Sequence, residues 1–235
     1  MSNQELNERL KMPVDLEFLK KVSYFDHLNA SELESLSKFI VEKTAGRGDM
    51  LVFEGDPANA LYLVVSGALK SFKTSSDGKE QILSIIRPGE SFNDVPVFDN
   101  NPSPVSVQAM GPVILYELTR KDFDTILQKY PHLSRNVINV LAGKVRNLVS
   151  LVEDLSFRHV VGRVAKILLE NAGDGAAGGG TRLTQQDMAA MAGTAREVVG
   201  RSLKSLEDDG YIKLDRHRIV VRNREALKNM VGISL

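Results

Sequence analysis

Cysteine is absent from the 235 residues. That removes disulfides, thiolate nucleophiles, thiolate zinc sites and cysteine-held iron–sulfur clusters. Histidine is scarce as well, and His27, His132, His159 and His217 are too scattered for their spacing to outline a metal cage. No apolar run approaches the roughly 18 residues that a membrane span needs. The opening stretch, MSNQELNERLKMPVD, is polar and lacks the apolar centre of a secretory leader, so a cytoplasmic protein is expected. Net charge is missing too, with 30 Lys/Arg balancing 30 Asp/Glu. The balance hides an asymmetry. Residues 1–155 carry 17 Lys/Arg against 21 Asp/Glu, whereas residues 156–235 carry 13 against 9. A basic C-terminal third on a mildly acidic body points to a polyanionic partner for that third alone.

What is present suits a folded protein of two domains: 43% hydrophobic and 26% charged residues over a length beyond one small domain. A helix is expected in ASELESLSKFI, where Ser31 and Glu34 have capping-box spacing and Leu33, Leu36 and Ile40 share a face. From about Thr44, short β-rich runs alternate with glycines at 48, 55, 67, 78 and 89. This spacing indicates an antiparallel barrel or roll. Helical patterning returns at LTRKDFDTILQKY, with Thr119 and Asp122 as a start and Pro131 as a stop. A longer helix follows over about Leu133 to Leu155. Its Val137, Leu141, Lys144, Leu148, Leu151 and Leu155 repeat at heptad spacing, a candidate dimer seam with one polar member. A helix lying on the roll would need such a stripe as well. Beyond HVVGRVAKILLENA, the glycine-rich GDGAAGGG reads as a flexible loop. It has no Lys-Ser/Thr after it and no apolar strand before it, so it is not a phosphate-binding loop.

The chemistry concentrates after that loop. A short helix can start at Thr184, with Asp187 three residues on, and break at Ala192-Gly193; a second starts at Thr194 or Ala195. GYIKL and RIVVRN then form a hairpin, a wing beside the two helices. On the second helix Val199, Leu203 and Leu206 fall on one side, and Arg196, Glu197, Gly200, Arg201 and Lys204 on the other. Arginine in a first turn opposes the helix dipole, so something outside the helix must want it there. The major groove does: arginine donates twice to guanine, and a carboxylate accepts from cytosine. A solvated face carrying a Glu197–Arg201 salt bridge is the plainer alternative.

From EGDPANALYLVVSGALK through PGESFNDVPVF to TQQDMAAMAGTAREVVGRSLKSLEDDGYI, about residues 20–230, the chain resembles the Crp/Fnr superfamily of bacterial transcription factors. The resemblance implies an α+β protein with an N-terminal antiparallel β-roll of the cyclic-nucleotide-binding kind, a long dimerisation helix and a C-terminal winged helix-turn-helix. The expected divisions are 1–130, 131–156 and 157–235. It implies a homodimer on a TGTGA-type palindrome of double-stranded DNA, with Arg196 and Arg201 on guanines and Glu197 on cytosine. Thr194, Gly200 and Lys204 stand beside them. The GTA before Arg196 departs from the cyclic-AMP branch, which puts the flanking bases in doubt. RNA polymerase becomes a further partner if the protein is an activator.

In that branch a Gly-Glu pair holds the ribose and an Arg-Ser pair grips the cyclic phosphate. Here Asn93-Asp94 and Pro104-Val105 take those places. Proline and valine offer the phosphate no cation and no hydroxyl, which argues against cyclic AMP. An unidentified small-molecule effector, haem on His27 or a methionine, and no ligand at all stand as alternatives. A signal would pass along the long helix to a hinge at Leu155, Ser156, Phe157 and Arg158. No nucleophile, carboxylate pair or metal cluster has spacing that supports catalysis. A roll that regulates another protein without reading DNA is the remaining rival, and it leaves the winged motif unexplained.

Overall fold

The computed structural model describes residues 14–57, 59–171, 183–215 and 218–232. In chain order the described elements are α1 (Leu16–Leu19), a 3₁₀ turn (Ser23–Phe25), α2 (Ala30–Ser37), β1 (Val41–Ala45), β2 (Met50–Val52), β3 (Ala60–Ser66), β4 (Leu69–Thr74), β5 (Glu80–Ile86) and β6 (Ser91–Phe92). Then come α3 (Asp94–Asp99), β7 (Ser106–Ala109), β8 (Val113–Thr119), α4 (Arg120–Lys129), α5 (Leu133–Phe157) and α6 (Val160–Asn171). The chain ends with α7 (Gln185–Ala192), α8 (Arg196–Asp208), β9 (Ile212–Asp215), β10 (Arg218–Val221) and α9 (Arg224–Val231). By packing, residues 1–71 with 85–145 form one unit, and residues 72–84 with 146–235 form another. The glycine loop GDGAAGGG lies outside the described residues.

The roll has two four-stranded sheets, ordered β1-β8-β3-β6 and β2-β7-β4-β5, and residues 72–84 of β4, β5 and their turn are grouped with the second unit. Strand β3 explains why part of the sequence reads as an unbroken apolar run. Leu61, Leu63 and Val65 point to one face and join a core with Tyr24, Phe25, Leu33, Leu36, Phe123 and Leu133 from the helical segments. Tyr62 and Val64, on the alternate positions, point inward to Val52, Leu69, Phe92, Val107 and Leu115. β8 does the same, with Val113 and Leu115 inside and Tyr116 and Leu118 under the helices. A strand buried on both faces has no polar side to show.

The five turn glycines all take positive φ, from 80° at Gly78 to 90° at Gly55. Thr119 caps α4 by accepting the Asp122 N–H, as expected. The cap of α2 differs from the expectation. Asn29 and Glu32 form the capping box, and Ser31 and Glu34 lie inside the helix. Both pairs have the required spacing, and asparagine caps as well as serine does. The helix therefore starts where the chain first turns away from extended backbone.

The second unit has its own core, in which Val164, Leu168, Met188, Val199, Leu203, Leu206, Ile212 and Leu227 are buried together. No helix among the described residues is long and apolar enough to cross a membrane. A prediction follows for the roll. Gly67 combines a φ of +83° with a Cβ position 2.4 Å from the Pro112 carbonyl oxygen. Gly67→Ala should lower unfolding free energy in urea by about 2–4 kcal/mol, strain and clash together. Gly78→Ala, with φ +80° but open space around it, should cost only about 1 kcal/mol.

Candidate nucleic-acid interface and effector region

Thr184 opens α7 with a capping box: its hydroxyl accepts the Asp187 N–H while the Asp187 carboxylate accepts the Thr184 N–H at 2.8 Å. α7 stops at Gly193, whose φ of +61° disfavours any side chain and whose Cβ would meet the ends of the Leu155 and Gln81 side chains at 2.9 and 3.0 Å. Gln81 also donates to the Met191 carbonyl at 3.2 Å. α8 starts at Arg196, one residue after the later of its two expected starts, with Ala195 as N-cap and no side-chain acceptor there. Its buried stripe is Val199, Ser202, Leu203 and Leu206. Arg196, Glu197, Arg201 and Lys204 are exposed on the opposite side, with Thr194 and Gly200 half-buried between.

Glu197 and Arg201 are exposed and do not pair with each other among the described residues. Lys204 differs: it pairs with Glu207 at 3.2 Å and Asp208 at 3.0 Å. Glu207 in turn accepts the Leu214 N–H at 2.8 Å, and that bond, with Lys204, holds its carboxyl below the usual range. The contact ties α8 to the wing. The wing itself pairs Arg218 with Asp215 and Val221 with Ile212 across β9 and β10.

In the first unit, Asn93 takes a left-handed conformation and turns the chain from β6 into α3, donating to the Ala60 carbonyl at 2.8 Å. Asp94 is then carried into the interior at 3% exposure. Its Oδ2 accepts from Ser91 Oγ at 2.7 Å and from the Tyr24 hydroxyl. Burial first, and then the Asp94 charge and hydrogen bond, push the Tyr24 phenol far above its ordinary range, so it is a donor at every working pH. Lys144 Nζ completes the cluster, bonding Asp94 Oδ1 and Oδ2 at 2.8 and 2.7 Å and the Ser91 carbonyl at 2.8 Å. Val105 is half-buried and Pro104 exposed on the loop before β7, and the Ser103 hydroxyl is spent on the Val105 carbonyl at 2.9 Å. His27 is exposed.

Known proteins give this arrangement its context. Residues 42–130 match the cyclic nucleotide-binding domain family, and residues 162–230 match the Crp-like helix-turn-helix domain family. A CRP-like cAMP-activated global transcriptional regulator of Mycobacterium tuberculosis is 30% identical over 217 residues, covering 90% of this chain and 97% of the relative. The chain belongs to the Crp/Fnr family of transcriptional regulators. A cyclic AMP receptor protein of Thermus thermophilus is 29% identical over 90% of this chain and 98% of its own. The structure of FixK2 from Bradyrhizobium japonicum superposes with a TM-score of 0.72 at 27% identity, covering 81% of this chain and 96% of FixK2. The expected roll, long helix and winged motif are thus the fold of this Crp/Fnr protein, a DNA-binding transcriptional regulator and not a member of an enzyme family.

The long helix bears on two of the expectations for this regulator. Three of the six seam positions are already engaged: Val137 is buried in the roll-side core, Leu141 packs against it, and Lys144 holds Asp94. The uncovered apolar stripe lies about 100° further round the helix, at Ile138, Val145, Val149 and Val152, with Ala142 half-buried among them. Leu148 and Leu155 sit at its margin, and Leu151 is half-buried. The expected hinge begins inside this helix. Leu155, Ser156 and Phe157 remain helical, and the break falls at Arg158-His159, so Arg158 alone of the four expected residues lies at the break.

A network that the sequence did not reveal secures this break. Asp154 accepts from Arg158 Nε at 2.8 Å and from Lys166, which also reaches Ser150 at 3.0 Å. Arg163 spans from the Arg158 carbonyl at 2.6 Å to the Ala192 carbonyl at 2.8 Å, linking the start of α6 to the end of α7. Burial alone would raise the Asp154 carboxyl, but the hydrogen bonds and charges of Lys166 and Arg158 outweigh it and hold it below its ordinary value. The ionised network therefore stabilises at neutral pH and fades as pH falls through that lowered value. Asp154→Asn should cost about 2–4 kcal/mol at pH 7 in urea unfolding, with the gap to wild type closing below roughly pH 4.

Proposed function

We propose that two copies of this regulator pair along α5 and read a TGTGA-like palindrome, under a signal other than cyclic AMP. The observation that carries the DNA reading is the outer face of α8. Arg196, Glu197 and Arg201 are exposed there, opposite a fully buried apolar stripe. Two arginines and one carboxylate supply the donor and acceptor set for guanine, guanine and cytosine edges. Thr194, Gly200 and the Lys204 ammonium flank them, and the uncapped first turn leaves backbone N–H groups for phosphate. Paired through α5, two such helices would meet successive grooves roughly 34 Å apart.

The mycobacterial relative is named as cAMP-activated. This chain differs where the resemblance places the phosphate grip. No lysine or arginine occurs between Arg87 and Arg120, so whichever register is chosen near Pro104-Val105, that loop brings no cation. A cyclic phosphate buried there would lack its charge partner. The cation that does arrive, Lys144, comes from α5 and is bound to Asp94.

Fluorescence anisotropy with a TGTGA-N6-TCACA duplex against a scrambled one, at fixed salt, tests the operator. Arg201→Ala should lose about 1–3 kcal/mol on the palindrome and little on the scrambled duplex. Equal losses on both would reject base reading. For the pairing face, Val149→Glu should shift sedimentation from dimer to monomer and abolish operator binding with it, whereas a dimer that survives the substitution places the interface elsewhere.

A further inference from the structure

We infer that Lys144 is a built-in ligand of the roll: its ammonium fastens α5 to Asp94 and sets the helix in its pairing orientation with no diffusible effector at that point. The inference rests on the α5 pairing proposed above.

The geometry is that of a filled site. Asp94 has few acceptor positions left, because Tyr24 and Ser91 take Oδ2 and Lys144 bridges both oxygens. Lys144 is saturated as well, since its remaining donor capacity goes to the Ser91 carbonyl. Three separate segments meet in this clasp: the turn at Tyr24, the β6–α3 corner at Ser91 and Asp94, and α5 at Lys144. A second polar anchor lies two turns earlier on the helix. Asn136 Nδ2 donates to the Asp26 carbonyl at 2.9 Å and to the Tyr24 carbonyl at 3.2 Å. Two anchors about 12 Å apart along a helix fix its rotation as well as its position. That rotation is what leaves Ile138, Val145, Val149 and Val152 uncovered.

A lysine that works as a tethered ammonium can be replaced by a free one. The Lys144 side chain is 37% exposed, so its place is open to approach from solvent, whereas Asp94 behind it is sealed. A small primary amine matches the three donors of the missing head group, and a quaternary ammonium, which cannot donate, does not.

The test is sedimentation of the full chain as wild type, Lys144→Ala and Lys144→Met, each with propylamine hydrochloride or, at equal ionic strength, tetramethylammonium chloride. Wild type should dimerise without additive. Lys144→Ala should raise the dimer dissociation constant at least tenfold, and propylamine should restore most of that while tetramethylammonium restores none. Lys144→Met keeps the aliphatic stem and should be folded by circular dichroism yet equally weak in pairing. Either variant pairing like wild type overturns the inference, and so does a weakened dimer that propylamine leaves unchanged. Loss of fold in both variants overturns it as well, because a local clasp should not decide whether the roll folds. A monomeric wild type rejects the pairing face itself, and the inference with it, an outcome no clasp variant can imitate. Duplex binding is scored separately, so amine rescue of the dimer without operator recognition rejects only the DNA reading.

Discussion

One carboxylate is buried in this roll, and its neutralisation comes from a helix fifty residues further along. An unpaired carboxylate at that depth would cost several kcal/mol, and here two hydroxyl donors and an ammonium meet it. The pair is weak evidence for stability, since well-packed apolar residues could replace it at little loss. What it adds is direction. The hydrophobic contacts of Val137 and Leu141 hold α5 against the roll but tolerate rotation, whereas an ammonium bonded to two carboxylate oxygens and a carbonyl does not. The exposed stripe on the far side of α5 inherits that orientation.

The same helix meets a second constraint at its other end. Phe157, the last helical residue, is 84% exposed, and around it Asp154, Arg158, Arg163 and Lys166 tie the last turn to α6 and, through Ala192, to the end of α7. A hydrogen-bonded corner of this kind transmits rotation where a flexible linker would absorb it. α8 follows α7 after a glycine held between Leu155 and Gln81, so its angle is set by backbone and packing together. Arginines at the start of α8 work against the helix dipole, and the buried Val199, Leu203 and Leu206 provide the stability that tolerates them.

Local features of this chain were legible because local physics decides them. The five turn glycines need positive φ, and Thr184 with Asp187 caps a helix wherever it stands. The wheel of α8 separates core from charge because its period is intrinsic to the helix. What escaped reading depends on distant partners. α5 carries apolar residues over more than half its circumference, and a heptad count cannot tell the stripe that meets the roll from the one left open. Asp94 read only as a stand-in in the place of a ribose-holding pair and Lys144 as the polar member of an apolar seam; each is explained by the other. The α2 cap was misplaced for a smaller reason, two overlapping pairs with the same spacing.

The clasp also changes what a signal must do here. In a roll whose cation stands on a strand and waits, an anionic effector fills a vacancy and gains the full charge interaction. In this roll the cation is mounted on α5 and already satisfied, so an anion must first displace a carboxylate bonded at 2.7 and 2.8 Å, leaving that carboxylate buried with only Tyr24 and Ser91 for company. The gain and the penalty are of the same kind and oppose each other, which lowers the driving force for anion capture. If the clasp sets the pairing orientation as proposed, control through this helix acts by moving the anchors rather than by occupying the space between them.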